Sequence, residues 1–154
     1  MKKLLAGLLA FLLLALNPAY AGLGSHSAMY VGGTVPGLTE RTEGKFSTTE
    51  DGAVFQGGKT SVTIPYAKID SLEYGEKAGR RVGLAVVVSP LFLLSKKRRH
   101  YLTIGYLDVQ GKQQAAVLEL GKDIIQPSIH ALETKTGKKV EYQDEEARKV
   151  ATGK

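Results

Sequence analysis

The chain has 154 residues, 43% of them hydrophobic, with a formal net charge of +6 and no cysteine. That length suits one domain once a targeting segment is set aside, and the lack of cysteine excludes a disulfide framework or a lipid anchor on a leading cysteine. The basic excess is mild and is not interleaved with aromatics in the manner of a nucleic-acid surface, so nucleic acid is not an expected partner.

Residues 1–21 read as a signal peptide. Lys2 and Lys3 precede an apolar stretch from Leu4 to Leu16, and Ala19-Tyr20-Ala21 supplies a small-x-small cleavage pattern. Cleavage after Ala21 leaves Gly22 to Lys154, a periplasmic or secreted protein. The alternative, an uncleaved anchor, conflicts with the roughly 20 apolar residues that a spanning helix needs. Two of the 21 basic residues lie in the leader, so 19 remain against 15 acidic residues and the exported chain carries about +4.

Residues 22–43 are rich in glycine, serine and threonine, with Met29-Tyr30-Val31 as their apolar cluster. They predict a flexible N-terminal arm with room for one short strand. From Gly44 the strand signals sharpen. Lys45 to Thr48 alternates into a turn at Glu50-Asp51-Gly52, Ala53-Val54-Phe55 resumes the strand, and Gly57-Gly58 turns it again. Ser61 to Ile64 puts Val62 and Ile64 on one face until Pro65, which has no amide proton for a ladder, ends the strand. Ile69 and Leu72 restart an extended segment through Gly75.

His100 to Leu107 carries apolar residues on both faces, as in a strand covered on both sides over part of its length. Asp108 to Gly111 is a hairpin turn, and Gln113 to Leu120 is the partner strand. A helix is expected from about Asp123, with the Asp123 carboxylate as a candidate cap and Ile125, Ile129 and Leu132 in one stripe. Pro127 requires the first turn or its vicinity, and Gly137 suits a left-handed stop. Residues 143–154 are expected to be a polar, frayed tail.

These elements predict a mainly β domain over 44–142 with one C-terminal helix. The segment Ile64-Pro65-Tyr66-Ala67-Lys68-Ile69-Asp70-Ser71-Leu72-Glu73-Tyr74 resembles the strand, short turn and strand of bacterial pleckstrin-homology-like and GRAM-like domains. The hairpin entered by His100-Tyr101-Leu102-Thr103-Ile104-Gly105-Tyr106 and the helix ending Ala131-Leu132-Glu133-Thr134-Lys135-Thr136-Gly137-Lys138-Lys139 resemble the same superfamily, so the likeness covers about residues 44–140. It implies a bent antiparallel β-sandwich or open barrel closed at one end by the helix, serving as a binding or scaffolding module, often at membranes. A phosphoinositide site does not carry over, because no matching basic loop joins the first two strands.

The departure from that pattern is an apolar insertion. Val82 to Leu94 is followed by Lys96, Lys97, Arg98 and Arg99 and preceded by Arg80 and Arg81. As a helix these 13 apolar-run residues reach about 20 Å, and Pro90 breaks them near the middle, so a full span of a ~30 Å hydrocarbon layer is not expected. Three readings remain. The run dips into one leaflet of an anionic membrane, with Val86, Val87, Leu91, Phe92 and Leu93 in the lipid and the six basic residues at the headgroups. It contacts a protein partner, including a second copy in a homo-oligomer. Or it is buried within the fold.

Chemistry is not written in this sequence. His26, His100 and His130 have no carboxylate or second histidine at metal-ligand spacing, so no metal or cofactor is expected. Ser25, Ser47 and Ser128 lack a nucleophile-elbow context, and Asp70 with Glu73 or Glu76 reads as surface charge beside Lys77, Arg80 and Arg81. The expectation is a non-enzymatic, exported binding module.

Overall fold

The computed structural model describes residues 27–76 and 99–153. Eight strands form one sheet: β1 (Ala28–Gly33), β2 (Thr42–Thr48), β3 (Gly52–Gly57), β4 (Thr60–Pro65), β5 (Ile69–Gly75), β6 (Tyr101–Leu107), β7 (Gln113–Leu120) and β8 (Val140–Tyr142). Two helices follow β7: α1 (Lys122–Thr136) and, after β8, α2 (Glu145–Thr152). The strand order is β4-β3-β2-β1-β7-β6-β5-β8, an open sheet with β4 and β8 at its edges, antiparallel except where β8 runs parallel to β5. The protein is thus mainly β with its larger helix C-terminal, consistent with a β-sandwich or open barrel.

The turns follow local chemistry. Between β6 and β7, the Asp108 carboxylate accepts from the amides of Gln110 (2.8 Å) and Lys112 (2.9 Å), while Gly111 takes a left-handed φ of 77°. Pro65 closes β4 opposite Gly52, and the chain crosses a single 3-10 turn, Tyr66–Lys68, before β5.

One side of the sheet holds the core. Tyr30, Phe46, Phe55, Ile64, Leu72, Leu102, Ile104 and Leu118 point to this side and meet Ile125, Ile129 and Leu132, the stripe expected on the helix. Each such side chain contributes roughly 1.5–3 kcal/mol when removed from water. Gly137 ends α1 with a φ of 69°.

Other segments differ from the sequence reading. The arm of 22–43 contains β1, which stands in the middle of the sheet between β2 and β7. Its glycines weaken the strand signal, yet Gly33 is required there: its φ is +126°, and a Cβ would strike the Ala115 carbonyl. Helix α1 takes Gly121 as N-cap without a side-chain bond, with Asp123 inside the first turn, and Pro127 lies in the second turn. The supposed polar tail forms α2, whose N-cap Asp144 accepts from the Ala147 amide at 2.8 Å. Ala147 and Ala151, one turn apart, are small enough to seat this otherwise charged helix on the core. Among the described residues no helix is long and apolar enough to cross a membrane.

Candidate interaction site at the end of the β5–β6 hairpin

A strand that alternates offers two faces, and here both are used at one end of the sheet. On β6 Leu102, Ile104 and Tyr106 join the core, whereas Tyr101, Thr103, Gly105 and Leu107 face outward. In register across β1, β7, β6 and β5, the first outward row is Met29, Glu119, Tyr101 and Gly75. The second is Gly32, Val117, Thr103 and Glu73, with Val31 added at a bulge in β1.

These two rows are buried. Tyr101 is 2% exposed, Thr103 3%, Val31 and Val117 0%, and even Glu73 and Glu119 only 7%. Farther along the same face the cover ends: Ser71 is exposed and Leu107 reaches 37%. The partial double cover expected for β6 is therefore present, and it lies at the end where β5 leaves the sheet and β6 enters it.

The two buried acids have polar partners. Arg99 Nη1 donates to Glu119 Oε2 at 2.7 Å, an ion pair whose arginine side chain is about one-third exposed (31%). Gln143 Nε2 donates to Glu73 Oε1 at 2.9 Å, and its side chain occupies the space where a Cβ on Gly75 would lie. The Tyr101 hydroxyl is buried with no hydrogen-bond partner. Burial, helped by the charge of Glu119 and opposed by that of Arg99, pushes this phenol up to about 12.

Beneath the rim, on the core side, Tyr74 Oη and His100 Nδ1 stand 2.8 Å apart, and the two rings are parallel with centroids 6.2 Å apart. Burial holds His100 below the ordinary imidazole value of 6.5, opposed by the charges of Glu76 and Glu119 and aided by Lys122. Burial likewise raises the Tyr74 phenol, with Glu76 adding to the shift. A neutral imidazole accepting at Nδ1 from the phenol satisfies both groups.

Of the residues expected to touch a membrane or partner, Arg99 is described, and its guanidinium is engaged with Glu119. Arg80, Arg81, Val86, Val87, Leu91, Phe92, Leu93, Lys96, Lys97 and Arg98 lie outside the described residues. Sequence reasoning passed over Glu119 and Gln143, and it read Glu73 as surface charge, whereas Glu73 is buried on the outward face of β5 and bonded to Gln143. A signal existed for Glu119: it interrupts an apolar strand on the same face as Val117.

Elsewhere, α1, β8 and α2 border a groove of about 400 Å³ lined by His130, Glu133, Tyr142 and Arg148 among others. Its charged groups do not converge. Glu133 Oε1 accepts from the Val140 amide at 3.0 Å, and Arg148 pairs with Glu145 at 2.8 Å. Among the described residues no three His, Asp or Glu side chains are placed to hold a metal ion. Comparison with known proteins finds no matching family model and no matching curated relative.

Proposed function

We propose that this chain is a non-enzymatic, exported binding module of pleckstrin-homology-like or GRAM-like build that associates peripherally with anionic membrane surfaces through residues 80–99. The observation that carries the reading is the pinning of both ends of the β5–β6 connection at one rim. Gly75 pairs with Tyr101, and Arg99 is fastened to Glu119. In the sequence Arg80 and Arg81 follow Glu76 by four and five residues, and Lys96 to Arg98 directly precede Arg99. Two basic groups thus bracket an apolar run along the chain, the pairing of forces that reversible membrane association requires.

With Arg99 engaged by Glu119, five basic residues remain for the headgroups, at about 1 kcal/mol each. The architectural part of the reading is supported by the strand order, in which β1 to β4 and β5 to β7 are two meanders joined through the β1–β7 pair, and by α1 following β7 onto the core.

The test is flotation of the protein with vesicles of anionic or neutral lipid at low and high salt. The informative variant changes Lys96, Lys97 and Arg98 to Ser and keeps Arg99, which has a structural partner. Salt-sensitive flotation on anionic vesicles, lost in the variant, is the expected result. Absence of flotation by the parent protein on anionic vesicles at low salt would refute it.

A further inference from the structure

We propose that β4, an edge strand of the sheet, pairs antiparallel with β4 of a second copy of this chain about a two-fold axis at Val62. The register of the β3–β4 hairpin fixes which main-chain groups β4 keeps free. Gly57 and Thr60 close a two-residue turn in which Gly58 has a φ of 58° and Lys59 stays out of the left-handed region, as in a type II′ hairpin. The closing pair exchanges both of its hydrogen bonds, so Thr60, Val62 and Ile64 bond to β3. The amides and carbonyls of Ser61 and Thr63 then point away from it. Pro65 falls in the same outward set, where an edge strand tolerates a missing donor. β4 ends the strand order, and among the described residues no strand pairs with this outward row.

The two edges of the sheet differ in how they are protected. β8 has 3 residues with Glu141 at its centre, Lys138 and Lys139 before it and Asp144 shortly after, and charge and brevity deter a further strand. β4 runs from Thr60 to Ile64 without a charge and is rich in β-branched residues, which suits it to be paired. A second copy is the occupant its register fits. Centred on Val62, antiparallel pairing sets Ser61 against the partner's Thr63 and Thr63 against the partner's Ser61. These two pairs exchange both bonds each and use every outward amide, leaving Pro65 outside the exchange. Half-buried Val62 meets its own copy in a non-hydrogen-bonded pair, where Cα atoms approach to about 4.5 Å. Charge agrees at both ends. Within one chain Gly52 lies opposite Pro65 and directly follows the exposed Glu50 and Asp51. The two-fold brings Lys59 level with the partner's Pro65, so a lysine of each copy approaches the acidic turn of the other. The symmetry also closes the assembly, because pairing β4 with β4 consumes that edge and leaves the charged β8 edges outermost.

Self-pairing of β4 is independent of membrane association and is measured without lipid, so that it and vesicle flotation fail separately. Two exchange pairs and one valine contact make a small interface, below the roughly 1,200 Å² of standard stable complexes. The dimer therefore dissociates on dilution and is sought at high concentration.

In sedimentation equilibrium of the full chain from about 5 µM to about 1 mM, the mass is expected to rise from one chain toward two. Ser61 and Thr63 are exposed, so their side chains can be exchanged without touching the core. Ser61→Lys with Thr63→Lys sets like charges directly opposite each other across the two-fold and should weaken the dimer about 10-fold. Ser61→Lys with Thr63→Glu sets opposite charges there and should return the dissociation constant to within about 3-fold of the parent. A parent that keeps the mass of one chain throughout would overturn the proposal and leave the edge to another strand. A dimer that the paired lysines do not weaken would equally overturn it, by placing the interface elsewhere. Should the lysine variant fail to fold, the cysteine-free background permits a single thiol at the axis. Val62→Cys is expected to form a disulfide-linked dimer about 10-fold faster than Val109→Cys, which is 95% exposed at a hairpin tip and reports random collision. Equal rates for the two thiols would overturn the pairing.

Discussion

Replacing Arg99 by Ala tests the energetics of the buried rim. The substitution leaves Glu119, whose side chain is 9% exposed, as an anion without its 2.7 Å partner. Removing one member of a fully buried pair costs about 3–5 kcal/mol. Here the arginine side chain is 31% exposed, so water screens part of the interaction, and roughly 1–3 kcal/mol is the expected loss. For a domain of this size that lowers Tm by about 5–10 °C. Glu119→Gln keeps an acceptor for the guanidinium and removes the buried charge, so its expected cost is below about 1 kcal/mol. The double variant should then be more stable than Arg99→Ala alone, because no isolated anion remains. Urea titrations and thermal melts of the four proteins complete the cycle. Arg99→Ala within about 0.5 kcal/mol of the parent, or a double variant as poor as the sum of the singles, would refute the assignment of the cost to an uncompensated carboxylate. Arg99→Ala also warns against reading membrane contact from this residue, since its loss alters the fold's rim first.

Two more predictions concern neighbouring features. His100 titrates below 6.5 when folded, so the unfolded chain binds the extra proton first; stability is full above pH 6.5 and declines as pH falls from there toward the folded value. Urea midpoints measured between pH 7.5 and 5 should show that decline in the parent and a flatter profile in His100→Gln. At the β1–β7 junction, Gly33→Ala combines a φ of +126° with a clash against the Ala115 backbone and should cost about 3 kcal/mol or more, whereas Gly111→Ala, with open space at a φ of 77°, should cost about 1 kcal/mol. Comparable losses at the two glycines in chemical denaturation would contradict the close approach of β1 to β7.

Much of the fold was legible because it is encoded in short windows. Alternation over Ser61 to Ile64 and Gln113 to Leu120, the turn at Asp108 to Gly111 and the stripe Ile125, Ile129, Leu132 each require only neighbours within a few residues. Strand β1 was not legible as a central element, since Gly32 and Gly33 lower its propensity and its two flanking partners, β2 and β7, lie about ten and about eighty residues away. Helix α2 hid behind a charged sequence because Ala147 and Ala151 carry too little hydrophobicity to mark a face. At the candidate site the sequence revealed a dense basic cluster, but not that Arg99 differs from its neighbours.

By itself, then, the amino-acid order determined that the segments of β2 to β7 become strands, which residues form the helix stripe, and that an uncharged run bracketed by bases interrupts the β5–β6 hairpin. Those are consequences of side-chain period and backbone chemistry, which act locally. Only the tertiary structure decided that β1 stands mid-sheet, that Glu119 twenty residues downstream neutralises Arg99, and that Tyr101, Thr103 and Val117 are buried on the face opposite the core. Burial and charge pairing depend on what folding brings alongside a residue, and strand register sets those neighbours across distances that no local window spans.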